Sequence, residues 1–321
     1  MDAERTTRYL PWAALALALL VPPLSSGSLY VLTTATIAVV FMIYASAWNF
    51  LAASGQGSLG HAAFFGLGAY ASALTASRFG LPPVLTVLLG GLFATGIGLL
   101  IGLTCVRLRE WFLAMVTFGF AIIIQTLMVS QFAGISGGWD GTSAPPLVPS
   151  SVPFAPWVQY YLILAVLLLV LLALRHLLAG RIGLAFAAIR ENEVEAQASG
   201  IDPVRYKLLA FCVSACIAGI AGALEVHQFG YITPEVFGTD ISFWPIIYSI
   251  SGGLGTLAGP IVGTLAVTLL WEGLRGLELT YARFVVIGLL LVLVVIFLPN
   301  GLVSLPRRLR EWRRGREGAD R

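Results

Sequence analysis

Charge is what this 321-residue chain has least of. Only 11% of its residues are Asp, Glu, Lys or Arg, against about 25% in a typical soluble domain. That scarcity excludes a water-soluble fold as the general plan. Cysteine is scarcer still. Cys105, Cys212 and Cys216 all fall in or beside apolar runs, so there is no disulfide framework. Cys212 and Cys216 stand one helical turn apart, but no His or further Cys sits at ligand spacing. We therefore assign them to packing and expect no metal site. Also missing is the apolar–polar alternation, in strands of about 10 residues, that marks a membrane barrel. The run Tyr161–Leu174 is apolar on every face.

Long uncharged stretches take the place of these features. No charged residue occurs between Arg8 and Arg78, Arg78 and Arg107, Asp140 and Arg175, Lys207 and Glu225, Asp240 and Glu272, or Arg283 and Arg307. Each gap holds at least one run near the roughly 20 apolar residues that a spanning helix needs. Backbone polar groups in lipid must be satisfied within their own segment. The sequence therefore predicts an all-α integral membrane protein. Its ten transmembrane helices fall at 10–26, 30–53, 57–77, 84–106, 111–132, 157–179, 207–229, 241–255, 259–274 and 282–299. The first has the layout of a signal peptide, with Arg5 and Arg8 ahead of Leu10–Val21. Its small-x-small cleavage site is poor and a second apolar run begins at Tyr30, so it is assigned as a span.

Lys and Arg in short loops set the orientation. Arg181, Arg190, Arg205 and Lys207 mark the loop after the sixth span, and six arginines lie between Arg307 and Arg316. The segment 133–156 has no Lys or Arg, and 230–240 has only Glu235 and Asp240. Both termini and the 180–206 loop are thus placed in the cytoplasm, with 133–156 and 230–240 outside. Residues 1–306 form the membrane domain and 307–321 a basic tail. That tail suits anionic lipid headgroups better than nucleic acid.

Two exceptions to the apolar rule correspond. Gly55-Gln56-Gly57-Ser58-Leu59-Gly60 is echoed 198 residues later by Gly253-Leu254-Gly255-Thr256-Leu257-Ala258. The echo predicts an internal parallel repeat, with spans two to five matched by seven to ten. Transporters built this way carry substrate between their repeats. Closely spaced glycines weaken a helix, and unwound backbone at membrane depth is tolerated only where it is buried in protein or lines a cavity. Gln56, Ser58, His61, Gly253, Gly255 and Thr256 are therefore candidates for a translocation path, and Gln125 joins them as a polar residue in mid-span. For His61 a hydrogen-bonded packing role is the equal alternative. Asn49 is another intramembrane polar residue, while Glu225 and His227 are placed at the outer interface.

Arg181 to Gly200 reads as one cytoplasmic helix, stopped by Gly200 and kept from restarting by Pro203. Leu184, Ala187, Ala188 and Glu191 share a face. Such a helix can lie on the membrane surface or dock into a partner's groove.

Three blocks resemble a known family. Gly55–Tyr70 is similar to the signature of permease subunits of bacterial branched-chain amino-acid ABC importers. Ala188-Ile189-Arg190-Glu191-Asn192-Glu193, with Ala198-Ser199-Gly200-Ile201 and Tyr206-Lys207-Leu208, resembles their coupling loop, and Gly252–Gly263 resembles their third signature. Order and spacing agree over about residues 30–303, and the loop is nearest the LivM-type subunit. The resemblance implies a bacterial inner-membrane importer of branched-chain or related amino acids. Its partners would be a second, related permease, two ATP-binding subunits, and a periplasmic or lipid-anchored binding protein that sets most of the selectivity. Leu184, Ala188, Arg190, Glu191, Glu193 and Glu195 then become candidates for contact with the ATPases. The chain has no Gly-x-x-x-x-Gly-Lys-Ser/Thr pattern, so ATP would be used by the partners and no cofactor by this chain. The importer pattern Glu-Ala-Ala is present only loosely, as Glu195-Ala196-Gln197. A stand-alone secondary transporter or channel, motivated by the repeat and His61, is the alternative.

Overall fold

The computed structural model describes residues 18–23, 28–108, 110–276 and 280–305. Most of the first predicted span and the whole basic tail lie outside these residues; 18–23 are helical. The long helices are α1 (Leu29–Ala53), α2 (His61–Phe79), α3 (Pro83–Cys105), α4 (Glu110–Val129) and α5 (Ala155–Ala179). Two short ones follow, α6 (Arg181–Glu191) and α7 (Glu193–Ala198). The remainder are α8 (Pro203–Phe229), α9 (Thr239–Gly252), α10 (Gly259–Gly273) and α11 (Thr280–Phe297). By length and composition, five of them (α1, α3, α4, α5 and α8) are long and apolar enough to cross a membrane.

Local chemistry sets the helix ends. Asp202 caps α8 by accepting from the N–H groups of Val204 and Arg205, and Pro203 opens the first turn. Missing its own N–H, proline loses nothing there. Gly230 closes α8 in the left-handed conformation. The predicted span 57–77 begins late, at His61, because 54–60 is unwound. The single cytoplasmic helix predicted over 181–200 is in fact two. Asn192 is extended and its side chain accepts from the N–H groups of Val194 and Glu195, so it starts a new helix instead of continuing the old one.

Helices α2, α3 and α8 form the tightest group, and α1 lies between them and the α9–α10 pair. Small residues make the approach possible. A Cβ on Gly68 would stand 2.3 Å from the Gly219 Cα, and one on Gly222 would stand 2.0 Å from the Phe65 carbonyl oxygen. Backbones meet this closely where lipid offers helices no hydrophobic drive and packing must hold them. Outward faces remain apolar, with Leu88, Leu92, Leu99 and Leu103 exposed along α3.

At one end of the bundle, β1 (Thr142–Ser143) pairs antiparallel with β2 (Tyr231–Ile232). The two segments that the charge pattern placed on one side therefore meet. His227 lies beneath them, fully buried. Its Nδ1 is 2.6 Å from the Pro145 carbonyl and so carries the proton, while Nε2 faces Ser72 Oγ at 2.8 Å and Thr86 Oγ1 at 3.2 Å. Partners on three segments satisfy the ring, which removes the need for water. Glu225, two residues earlier, is half-buried.

Candidate functional site

The opposite end holds both glycine-rich breaks. In the first, Ser54–Gly60 runs without helix between α1 and α2, and Gly55 adopts φ +81°. Side chains take over the freed backbone groups. Trp48 Nε1 donates to the Ser58 carbonyl at 2.8 Å, and the Leu59 N–H donates to Thr117 Oγ1 at 3.2 Å. Gln56 Nε2 donates to Ser54 Oγ and to the Lys207 carbonyl, both at 2.9 Å.

Gln56, Ser58 and His61 are all buried. Ser214 Oγ donates to the Ala47 carbonyl at 2.7 Å and so accepts from His61 Nε2 at 2.9 Å. His61 Nδ1 is then an acceptor, and it has no protein partner; nor do Gln56 Oε1, Ser58 Oγ or the hydroxyl of Tyr44, whose ring stacks on His61 at 5.9 Å. The first break and the neighbouring Tyr44 thus concentrate buried polar atoms that packing alone does not use.

The second break, 253–258, separates α9 from α10, with Gly253 at φ +135° and Gly255 at φ +72°. Asn49 of α1 holds it from across the fold. Its Nδ2 donates to the Thr256 carbonyl at 2.8 Å, and its Oδ1 accepts from the Gly255 N–H at 2.9 Å. Thr256 Oγ1 donates to the Gly253 carbonyl and accepts from the Gly259 N–H. Gly301, after α11, packs so closely that a Cβ there would stand 2.4 Å from the Gly253 Cα. The structure therefore brings Gln56, Ser58, His61, Gly253, Gly255 and Thr256 to one end, with Asn49 as the link between the breaks. Sequence reasoning placed Asn49 as a polar residue one to two turns before the first break, but gave no signal that it holds the second. Helix N-termini attract carboxylates, but here the Gly259 N–H is taken by Thr256 and the Ala62 N–H by Ser242 Oγ. Gln125 stands apart, donating to the Pro234 carbonyl at 3.1 Å, and serves to anchor the 234–237 turn.

Helices α6 and α7 lie over the same end. Ala185, Phe186, Ile189 and Ala196 face inward, and Phe186 meets Phe50 edge-on at 5.4 Å. The other face is open: Leu184 is 74% and Val194 75% exposed, and Arg190 and Glu191 are also exposed. Ala188 is half-buried between the two faces. Glu193 and Glu195 are partly occupied within the chain. Lys207 Nζ pairs with Glu193 Oε2 at 2.5 Å, and Asn192 Nδ2 donates to Glu195 Oε1 at 2.6 Å. Arg190 reaches both breaks. A Cβ on Gly55 would stand 3.5 Å from the Arg190 Cα, and one on Gly255 would stand 3.3 Å from its Nη1.

The far end opens into a cavity of about 510 Å³ whose polar lining includes Thr33, Thr36, Gln159 and Gln228. The geometry is that of a cavity of mixed polar and apolar lining at one end, two held breaks at the other, and an exposed two-helix loop resting on the breaks.

Known proteins are similar to this chain in sequence. A permease of Salmonella typhimurium, the high-affinity branched-chain amino acid transport system permease protein LivM, is 31% identical over 299 residues, covering 85% of this chain and 70% of that protein. The ribose import permease protein RbsC of Escherichia coli is 25% identical over 169 residues, 51% of this chain and 49% of RbsC. LivH of Escherichia coli, a permease protein of the high-affinity branched-chain amino acid transport system, is 31% identical over 127 residues, 39% of this chain and 41% of LivH. No solved structure matches. The family described as branched-chain amino acid transport system / permease component matches residues 30–295, which takes in both breaks and the loop between them. The chain belongs to this family of membrane permeases and, by its likeness to LivM over most of its length, is of the LivM type.

Proposed function

We propose that this chain is the permease subunit of an ATP-driven importer that moves branched-chain or related amino acids across the bacterial inner membrane. The observation that carries the reading is the exposed α6–α7 face, standing directly over two helix breaks, the first of which holds buried polar groups. A solitary channel has no use for an apolar Leu184 and Val194 presented on a polar loop, whereas a partner's groove does. The partners are a second, related permease, two cytoplasmic ATP-binding subunits, and a binding protein on the side of the 510 Å³ cavity. Both termini then face the cytoplasm and ten helices cross the membrane.

An internal parallel repeat fits the same reading. The helices that follow the two breaks start at His61 and Gly259, 198 residues apart, and the next helices start at Pro83 and Thr280. These boundaries favour a repeat of α1–α3 in α9–α11, in place of one between spans two to five and seven to ten.

Co-expression with candidate ATPase and binding-protein subunits tests the proposal, with substrate-stimulated ATP hydrolysis measured in membranes. Leu184→Asp and Val194→Asp should each lower the stimulated rate about tenfold or more, since burying a charge in an apolar groove costs at least the 1.4 kcal/mol that a factor of ten represents. The abundance of the chain should be unchanged, because both side chains are exposed. Uptake by this chain alone that ignores ATP and follows an ion gradient would overturn the reading in favour of a secondary transporter or channel.

A further inference from the structure

We infer that the cavity at the end away from the breaks, together with the carboxylate of Glu225 beneath it, forms an entry site for a small solute that carries an ammonium group and an apolar side chain. The inference rests on the importer reading for the direction of travel; the site itself follows from how α1, α5 and α8 pack.

Two contacts fix how α8 lies on α1. Ser214 Oγ donates to the Ala47 carbonyl at 2.7 Å. Further along α8, Gln228 shares the cavity with Thr33 and Thr36, which precede Ala47 in α1. The two helices are therefore antiparallel. Glu225 follows Ser214 by about three turns and, at about 3.6 residues per turn, returns to the same face. It thus faces α1 just below Gln228, on the path from the cavity toward Ala47. Tyr44, one turn from Ala47 on that path, lies within electrostatic reach of Glu225. Its ring stacks on His61, at the head of α2 beside the first break.

Glu225 is half-buried and has no hydrogen bond or ion pair among the described residues. His227, two residues on, is held by Pro145, Ser72 and Thr86. A carboxylate at membrane depth is costly and calls for a cation or a watery path. The cavity supplies the path, and a solute's ammonium group is the cation that fits it.

The cavity's own chemistry completes the match. At about 510 Å³ it has the size of a small-molecule site. Among the described residues its lining holds no charged side chain, while Leu32, Val148 and Phe154 offer apolar wall. Gln159 Nε2 donates to Gln228 Oε1 at 2.6 Å. That bond leaves Gln159 Oε1 to accept and Gln228 Nε2 to donate, and neither atom has a partner among the described residues. An ammonium group meets Gln159 Oε1 and then Glu225, a carboxylate meets the Gln228 amide, and an alkyl chain meets the wall. An anion without an ammonium group is repelled by Glu225.

The test uses the full chain alone in lipid vesicles, at about pH 8, where an ordinary carboxyl is ionised. Cys105, Cys212 and Cys216 are replaced by alanine. The reporter is Thr33→Cys, half-buried in the cavity lining, and the control is Ser130→Cys, exposed at the end of α4. The probes are cationic, anionic and neutral methanethiosulfonates, and the readout is the labelling rate. Glu225→Gln should lower the cationic-to-anionic rate ratio at Thr33→Cys about tenfold, the scale of one charge near the reacting thiol in a partly dehydrated cavity, and leave the neutral rate within about twofold. Glu225→Asp keeps the charge and should keep most of the ratio, and Ser130→Cys should not respond. L-leucine and isoamylamine should slow neutral labelling at Thr33→Cys. 4-Methylpentanoate, the same carbon chain without the ammonium group, should not, and Glu225→Gln should abolish the protection. An unchanged ratio, an equal change at Ser130→Cys, absence of protection by either amine, or equal protection by 4-methylpentanoate overturns the inference. If the labelling results hold while no ATPase is stimulated, the site stands and the importer reading falls. Stimulated ATP hydrolysis with labelling indifferent to Glu225 gives the reverse.

Discussion

Replacing Asn49 with alanine should cut transport at least tenfold while Gln125→Ala stays within about twofold, with uptake normalised to the amount of chain in the membrane. The difference rests on what each amide holds. Asn49 is 4% exposed and bonds two backbone groups of the second break, the Gly255 N–H and the Thr256 carbonyl. Both lie in non-helical chain and gain no helical partner when the amide is lost. The bonds are part-buried and Gly255 and Thr256 are exposed, so each bond is worth about 0.5–1.5 kcal/mol and the two together about 1–3 kcal/mol, all of it falling on the break. Gln125 makes a single, part-buried bond to the Pro234 carbonyl at the other end, worth about 0.5–1.5 kcal/mol. Thermal unfolding of the two purified variants provides the companion measurement, and Asn49→Ala should melt earlier.

Gly222→Ala should destabilise the bundle by at least about 1–3 kcal/mol, the range for overpacking, whereas Gly96→Ala should be neutral or gain up to about 1 kcal/mol. Both replace a glycine inside a long helix. At Gly222 the new methyl would stand 2.0 Å from the Phe65 carbonyl oxygen, 2.7 Å from its carbon and 3.2 Å from its Cα. All three atoms are backbone, so no rotamer change relieves the overlap and α2 must move away from α8. At Gly96 nothing lies within 4 Å, and alanine brings only better helix propensity. Denaturant or thermal unfolding in one detergent, run on both variants, distinguishes close helix approach from mere glycine content.

Such contrasts mark the limit of one-dimensional reading. Glycines 96 and 222 look alike in the chain; only the neighbour across the gap tells them apart. Gln56 and Gln125 likewise look alike as polar residues in apolar runs, yet one joins the first break to Lys207 and the other anchors a turn at the far end. His227 was read as interfacial because it ends an apolar run, and the partners that bury it come from α2, α3 and the 145 segment. Asn192 gave a clearer signal than was drawn from it: a capping residue with Glu three positions on starts a helix.

By itself the sequence determined what depends on runs of neighbours. The length of uncharged stretches set the all-α membrane plan and the place of its long apolar helices, because in lipid each segment must satisfy its own backbone. Closely spaced glycines set where two of those helices break. Only the tertiary structure decided which groups hold the breaks. Asn49 and Gly255 are 206 residues apart, and Gln56 and Lys207 are 151 apart. Bonds over such separations are chosen by how the helices pack, and packing without a hydrophobic drive turns on the fit of particular side chains. The two glycine-rich segments were legible as exceptions in the chain; that Arg190 lies against both became visible only once the helices were assembled.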